Sequence, residues 1–429
     1  MLEKRIPIPV VEAVARVMEY AHQGETEKVS LIESYGRILG EDVVADHHVP
    51  HFDRSPYDGF AIRAEDTKES SSSNPIQFEV IGEIGAGFVF TKEVKAFQAV
   101  RIMTGAAIPV GCNAVVMLEL TEGFEENEKT YMKLKRPFAS GDNISFKGED
   151  VKQNVILVKK GTSINPGVVA LLATFGYSSV NVIRQPVIGI VTTGSELLEV
   201  HEKLKQGKIR NSNSYMIAAQ VERAGGIVRY YGQFVDDLET CYNTVKKAMK
   251  EVDILITTGG VSVGDYDYLP AIYERLQANV LFNKIAMRPG SVTTVAELEG
   301  KLLFGLSGNP SACYVGCELF VRPVIQTYLH RKDPHVYRAE AILQKDFPKA
   351  NPFTRFVRGK VGFVDGQLQV IPVGLDKSSA ISSLADTNAF IVLPGGTRGF
   401  ESGITVSVLL LESNVGSEWP WKEPLRSYK

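Results

Sequence analysis

Between about residues 186 and 330 the chain alternates β-rich apolar runs with amphipathic stretches, and this alternation constrains the fold more than any other feature. PVIGIVTTG, IVRYYGQF, DILITTGG and LLFGLSG read as strands; SYMIAAQVERAGG, LETCYNTVKKAMKEV, YLPAIYERLQA and PSACYVGCELF read as helices. Strands separated by helices pair in parallel, which predicts a doubly wound α/β sheet. The ILI run suits burial on both faces.

The flanks differ in texture. From about 45 to 154, short runs such as IQFEVIGEI, AVRIM, NAVVML and YMKLK predict a β domain; after about 330, YRAEAIL, TRFVRGKVGFV, QLQVIPV, AFIVLP and ITVSVLLL predict a second, with Asp365-Gly366 as a hairpin turn. The fold class expected is therefore α/β plus β. Val11, Val14, Ala15, Val17, Met18 and Ala21 recur at helical spacing behind Pro9 and predict an opening helix over residues 10–21. The run Ser70 to Ser73 reads as a mobile loop.

A chain of 429 residues has room for about three domains with sizeable cores. Its 47 Lys and Arg against 50 Asp and Glu give a net charge of −3, which argues against nucleic acid as the main partner. Cys112, Cys241, Cys313 and Cys317 form no CxxC pair and no disulfide framework, and the CxxxC pair reads as one buried helix face. The N-terminal stretch has prolines and acidic residues where a signal peptide needs an apolar core, and no apolar run reaches the ~20 residues of a membrane span. The expectation is a protein of the cytoplasm with no membrane partner.

Three loops leave successive strands of the α/β region: Thr192-Thr193-Gly194-Ser195, Thr257-Thr258-Gly259-Gly260 and Ser307-Gly308-Asn309-Pro310. Glycines let backbone N–H groups approach an anion, hydroxyls add donors, and helix N-termini add positive potential. Together they predict a phosphate-bearing ligand contacted by Thr193, Gly194, Thr258, Gly259, Gly260, Ser307 and Asn309, with Asn309 at the cap and Pro310 in the first turn of the next helix. Neither GxGxxG nor GxxxxGK[ST] occurs, so the usual nucleotide signatures are missing. Gly260-Val261-Ser262-Val263-Gly264 matches a hydrolase elbow in letters, but a glycine pair already ends the strand and no triad histidine follows in context. Ser262 is instead placed among the ligand contacts.

Carboxylates stand beside these loops: Glu196, Asp236, Asp265 and Asp267. Next to a phosphate cradle they suit Mg²⁺, which offsets repulsion between the negative groups, although Asp236-Asp237 also sits where a helix cap belongs. Lys284 and Arg288, four apart, point to one face if the segment is a single strand, aimed together at an oxyanion. His47, His48 and His51 lie close together without the carboxylate pattern that would define a metal site.

Several segments in order resemble the molybdopterin molybdenumtransferase family, the MoeA and gephyrin E-domain group. They are PHFDRSPYDGFAIRAED, RIMTGAAIPVGCNAVV, GDNISFKGEDV, VTTGSEL, TTGGVSVGDYDY, AMRPGSVTTVA and FGLSGNPSA, and they span nearly the whole chain. The resemblance implies an elongated homodimer of four-domain chains. Residues 27–46 with 155–180 would form a linker domain and 47–154 a β-rich domain. Residues 1–26 with 181–330 would form a Rossmann-like molybdopterin-binding domain, and 331–429 a C-terminal barrel-like β domain. It also implies a transferase of molybdenum-cofactor biosynthesis, one that inserts molybdenum from molybdate, as substrate, into adenylylated molybdopterin with Mg²⁺ and release of AMP. The active site would be shared between subunits. A molybdopterin adenylyltransferase and acceptor molybdoenzymes are the further partners implied.

Carried over by position, Asp58 and Thr104 match the family's β-domain active-site residues, and Asp150 and Glu196 its carboxylates near Mg²⁺ and the pterin phosphate. Asp236 and Asp267 match acidic positions of the ligand pocket and Lys284 and Arg288 its basic pair. Arg358 and Ser383 match positions near the molybdate site. The chain departs from the family at Ser145, where arginine is common, at Ser291 in place of a lysine, and at Ser307 in place of a proline. Arg288, Ser291 and Ser307 supply donors to a tetrahedral oxyanion in their stead. Two other readings stand beside this one: a pterin-binding scaffold that has lost molybdate activation, and a molybdopterin adenylyltransferase, against which the two flanking β domains argue.

Overall fold

The structure is a computed structural model describing residues 6–234, 237–259, 268–350, 352–413 and 416–421. It divides into two compact units, Met1–Lys28 with Asn181–Lys429, and Val29–Val180.

In the larger unit a six-stranded sheet runs in the order Ile227–Phe234, Val187–Thr193, Ile254–Thr258, Lys301–Leu306, Thr294–Leu298, Asn279–Phe282. The first four strands are parallel, as the alternation predicts; the last two are antiparallel. The all-parallel expectation fails there because Glu299-Gly300, both at positive φ (51° and 79°), close a two-residue hairpin between Leu298 and Lys301. The helices Leu238–Glu251 and Leu269–Leu276 cover one face, burying Cys241, Val245, Ala248, Ile272 and Tyr273 on Val191, Leu255 and Leu303. The opening helix is Val10–Met18, shorter than expected at its end, with Val10, Ala13, Val14 and Val17 buried.

The helix Pro310–Gly316 continues as a π-helical turn, Cys317–Val321, before Arg322–Tyr328. The widening falls directly ahead of Pro323, which has no N–H to give to the preceding turn. Cys313 and Cys317 are buried here as one helix face, and burial pushes both thiols up. Beside them Glu318, also buried, accepts from Gln220 Nε2 (2.6 Å), Arg322 Nη1 (3.1 Å) and Arg223 Nη2, tying this helix to Asn213–Arg223.

The C-terminal strands His335–Leu343, Thr354–Val364, Gln367–Pro372, Ala389–Leu393 and Thr405–Leu410 form a second sheet in the same unit. Asp365 and Gly366, at φ 50° and 77°, make the expected hairpin turn. Met287–Arg288 joins this sheet, parallel to Thr354–Arg355. The single strand expected to carry Lys284 and Arg288 is therefore not formed: one strand ends at Phe282 in the α/β sheet, the chain bends, and Arg288 belongs to the other sheet.

The smaller unit holds a six-stranded sheet in the order Ala114–Met117, Gly59–Ile62, Gln98–Ile102, Ile76–Ile84, Lys129–Leu134, Thr121–Glu126, over a core that includes Phe60, Ile62, Phe78, Met132 and Leu134. Its helix Pro166–Thr174 is capped by Asn165, whose Oδ1 accepts from Val168 N at 3.0 Å. The Ser70 to Ser73 run is not the mobile loop expected. Ser70 is buried and its hydroxyl donates to Leu134 O (2.7 Å), while Ser71 and Asn74 exchange backbone hydrogen bonds at 3.1 Å. Short polar side chains there close back on the backbone. No helix among the described residues is long and apolar enough to cross a membrane.

Glu318→Ala leaves two guanidinium groups facing an emptied, buried site. It is expected to destabilise the larger unit by about 3–5 kcal/mol, read as a fall in the urea midpoint of the transition that reports this unit.

Candidate functional site

Parallel register places the three predicted loops side by side: Thr192 pairs with Thr258, and Thr258 with Leu306. Gly259 draws them together. A Cβ on it would overlap the carbonyl oxygen of Thr193, and its own α-carbon lies 3.7 Å from where a Cβ on Gly308 would stand. At φ 85° the position suits glycine on backbone grounds as well. The second loop thus lies against the first and the third, as the sequence predicts.

Around this junction two buried polar atoms, Thr193 Oγ1 and Asn213 Oδ1, have no partner among the described residues. Native interiors satisfy nearly all such atoms, so a cluster of orphans marks a place for a polar ligand. Asn213 Nδ2 donates to Gly308 O (2.8 Å), which holds the third loop. Ser307, itself buried, accepts from Asn309 N at 3.2 Å. Asn309 occupies the cap position ahead of Pro310, but its side chain makes no capping bond and lies exposed. Glu196 is exposed beside Gly194, where a Cβ on the glycine would stand 2.8 Å from its Oε2. Gly260, Ser262, Asp265 and Asp267, and Asp236, lie outside the described residues. Asp237 is the cap of the following helix, accepting from Thr240 N (2.8 Å) and from its hydroxyl (2.6 Å), bonds that lower its pKa.

A second element of the same unit is more buried. Arg358 is 3% exposed; its Nη1 donates to Ser311 Oγ, its Nη2 to Leu375 O, and its Nε has no partner among the described residues. Ser311 is fully buried. It donates from N to Ser378 O (3.0 Å) and from Oγ to Ala380 O (3.0 Å), so the start of the Pro310 helix carries the 375–380 loop. Ser383, 4% exposed, has an Oγ with no partner among the described residues and lies beside Gly374, whose neighbour Val373 donates to Arg358 O at 2.9 Å. Burial pulls the Arg358 pKa below the usual arginine value, and the Asp376 carboxylate opposes the fall. A guanidinium keeps its charge even so. The Arg288-Pro289-Gly290-Ser291 turn lies close by: a Cβ on Gly290 would stand 3.4 Å from Ala312 O. Lys284 is half-buried and Arg288 exposed, and Ser291 contributes its carbonyl to Ile285 N (2.9 Å).

In the smaller unit the structure brings Asp58 and Thr104 together: Thr104 N donates to Asp58 Oδ1 at 2.7 Å and its hydroxyl to Pro56 O at 3.2 Å. Asp150 is exposed after the turn that follows Phe146, and Ser145 gives its hydroxyl to Glu149 Oε2 (2.9 Å). His47 pairs with Asp46 (2.5 Å) and stacks edge-on with His51, while His48 Nδ1 accepts from Gln153 N (3.3 Å). Among the described residues no group of three or more His, Cys, Asp or Glu could hold a metal. Glu196 and Asp150 are both exposed, the first in the larger unit and the second in the smaller. Sequence reasoning missed Ser311 and Asn213. The signal for Ser311 was its place in the first turn behind Asn309-Pro310; Asn213 carried none, because its partner is a carbonyl ninety-five residues away.

The chain matches three family profiles in order: MoeA N-terminal region (domain I and II) over residues 8–176, probable molybdopterin binding domain over 189–327, and MoeA C-terminal region (domain IV) over 340–411. It is 64% identical over 429 residues to a molybdopterin molybdenumtransferase of Bacillus subtilis (strain 168), covering 100% of both chains. It is 50% identical over 418 residues to one of Staphylococcus aureus (strain COL), covering 97% of this chain and 99% of that one. A crystal structure of the molybdopterin biosynthesis MoeA protein from Pyrococcus horikoshii OT3 superposes with a TM-score of 0.77 at 33% identity, covering 94% of this chain and 100% of that one. A crystal structure of a molybdopterin biosynthesis MoeA protein from Pyrococcus horikosii gives 0.83 at 29% identity, covering 95% of this chain and 100% of that one. Three MoeA-type profiles in order and full-length similarity to these proteins lead to one conclusion: the chain belongs to the MoeA family of molybdopterin molybdenumtransferases.

Proposed function

We propose that this transferase of molybdenum-cofactor biosynthesis takes adenylylated molybdopterin and molybdate, cleaves the phosphoanhydride to release AMP, and leaves molybdenum on the pterin dithiolene. The observation that carries the reading is the pairing of two differently built anion sites in one unit. One is open, made of backbone and hydroxyls around Thr193, Gly259 and Ser307, and suits a phosphate; the other is buried, made of Arg358 and Ser383, and suits a compact tetrahedral oxyanion. Lys284 and Arg288 add positive potential near the second.

In this mechanism the strand-end loops orient the pterin phosphate through N–H and hydroxyl donors, while Arg358 holds molybdate in a site from which water is largely excluded. Ser311 keeps the guanidinium aimed by accepting one of its N–H groups. Glu196 and Asp150 would hold Mg²⁺, which when bound neutralises phosphate charge and eases departure of AMP. Asp58, fixed by the Thr104 N–H, presents a carboxylate from the β domain. We further propose that the chain acts as a homodimer in which Asp58, Thr104 and Asp150 of one copy serve the ligand site of the other, working in the cytoplasm. The four domain divisions, the adenylyltransferase that supplies the pterin nucleotide and the molybdoenzymes that accept the product belong to the same proposal.

A second reading, a pterin-binding scaffold without insertion, draws on Ser145, whose hydroxyl is committed to Glu149 rather than offered to a ligand. AMP release measured with and without molybdate decides between them: molybdate-dependent release supports insertion, and tight pterin binding without release supports the scaffold.

Glu196→Gln is expected to lower the rate of Mg²⁺-dependent AMP release about a hundredfold with an unchanged melting temperature, because the fold does not use this side chain; the check is a single-turnover assay at saturating pterin nucleotide. Arg358→Lys loses the planar fork while keeping a charge, so half-saturating molybdate should rise about 10- to 100-fold with pterin binding intact. Inactive D58N and E196Q subunits, mixed and allowed to exchange, should regain about a quarter of wild-type AMP release if sites are shared across the dimer; no recovery in the verified mixed dimer overturns that arrangement.

A further inference from the structure

The loop that carries Glu196 is held by its backbone. Gly194 O accepts from Leu197 N (3.2 Å) and Gln233 Nε2 (3.2 Å), and Leu197 O accepts from the same Gln233 nitrogen (2.9 Å). Between them, Ser195 O accepts from Lys208 Nζ (2.5 Å) and Glu196 O from Ile209 N (3.0 Å). Four consecutive carbonyls are thus occupied, the outer two by one carboxamide.

Gln233 reaches them because its strand is bulged. The parallel register runs from Ile190 opposite Tyr230 to Thr192 opposite Gln233, so Val191 alone faces both Tyr231 and Gly232. Gly232 sits at φ 94°, a conformation other residues rarely adopt. In an uninterrupted ladder Thr192 would face Gly232, and the side chain of residue 233 would project from the other face of the sheet. The bulge reverses that phase and delivers the carboxamide to the loop, which is how bulges beside sites re-aim a side chain.

We infer that Gln233 is a positioning residue for Glu196, setting the carboxylate by clamping the carbonyls on either side of it. The inference rests on the reading of Glu196 as a carboxylate that serves Mg²⁺ and the pterin phosphate. A side chain this exposed takes its position from the backbone beneath it, and displacement of about 1 Å at a reacting centre is enough to lower a rate by about a hundredfold.

The test uses the full-length protein with Q233M, which keeps the volume and removes both donors, and Q233E, which also sets a carboxylate against two carbonyls. Amide hydrogen exchange over residues 195–198 should quicken at least about tenfold in both variants while the α/β strands keep their protection. Half-saturating Mg²⁺ for AMP release should rise about tenfold or more, with half-saturating pterin nucleotide within about twofold of wild type. Wild-type exchange over 195–198 in both variants overturns the inference, even where E196Q is inactive. Faster exchange with an E196Q enzyme that turns over normally upholds the clamp and overturns the role given to Glu196.

Discussion

The near-contact of Gly259 with the Thr193 carbonyl is the constraint on which the site depends. Parallel pairing delivers three strand ends to one edge, yet strands about 4.8 Å apart leave loops free to splay. Removing every atom beyond the α-carbon at Gly259 lets the middle loop settle between its neighbours, so loops that arise far apart in sequence come to lie side by side. The Thr193 hydroxyl and the Asn213 side-chain carbonyl, buried beside this junction, have no partner among the described residues.

The buried Arg358 shows a complementary strategy. Desolvating a guanidinium is unfavourable, and here the deficit is only partly met, by Ser311, the Leu375 carbonyl and the field of Asp376. On the proposed reading, that remaining deficit is what an entering anion would meet. Lys349 and Arg355 both donate to Asp376.

Much of this was legible in the residues, for reasons that can be named. Strands with apolar runs and helices with clear amphipathic periodicity appeared where expected, IQFEVIGEI and IVRYYGQF with their boundaries intact. The loops after them were legible because glycine and hydroxyl residues behave alike in any context. What escaped depended on partners distant in sequence. The antiparallel edge hung on the two residues Glu299-Gly300. The Ser70 run looked disordered by composition, but its backbone partner Leu134 lies sixty-four residues on. Lys284 and Arg288 looked like one strand because spacing alone does not reveal that a chain changes sheets. The roles of Asp58, Asp150 and Glu196 came from motif resemblance, since an exposed carboxylate carries no periodic signal.

The change of sheets at Met287–Arg288 has a consequence for how the protein acquires its site. The chain lends two residues from the middle of the α/β region to a strand that begins at Thr354, so Arg288 has its native backbone partners only after some sixty further residues have been made and folded. The backbone placement of the basic turn thus answers to the C-terminal sheet, whereas the strand-end loops are set by pairing within the α/β sheet itself.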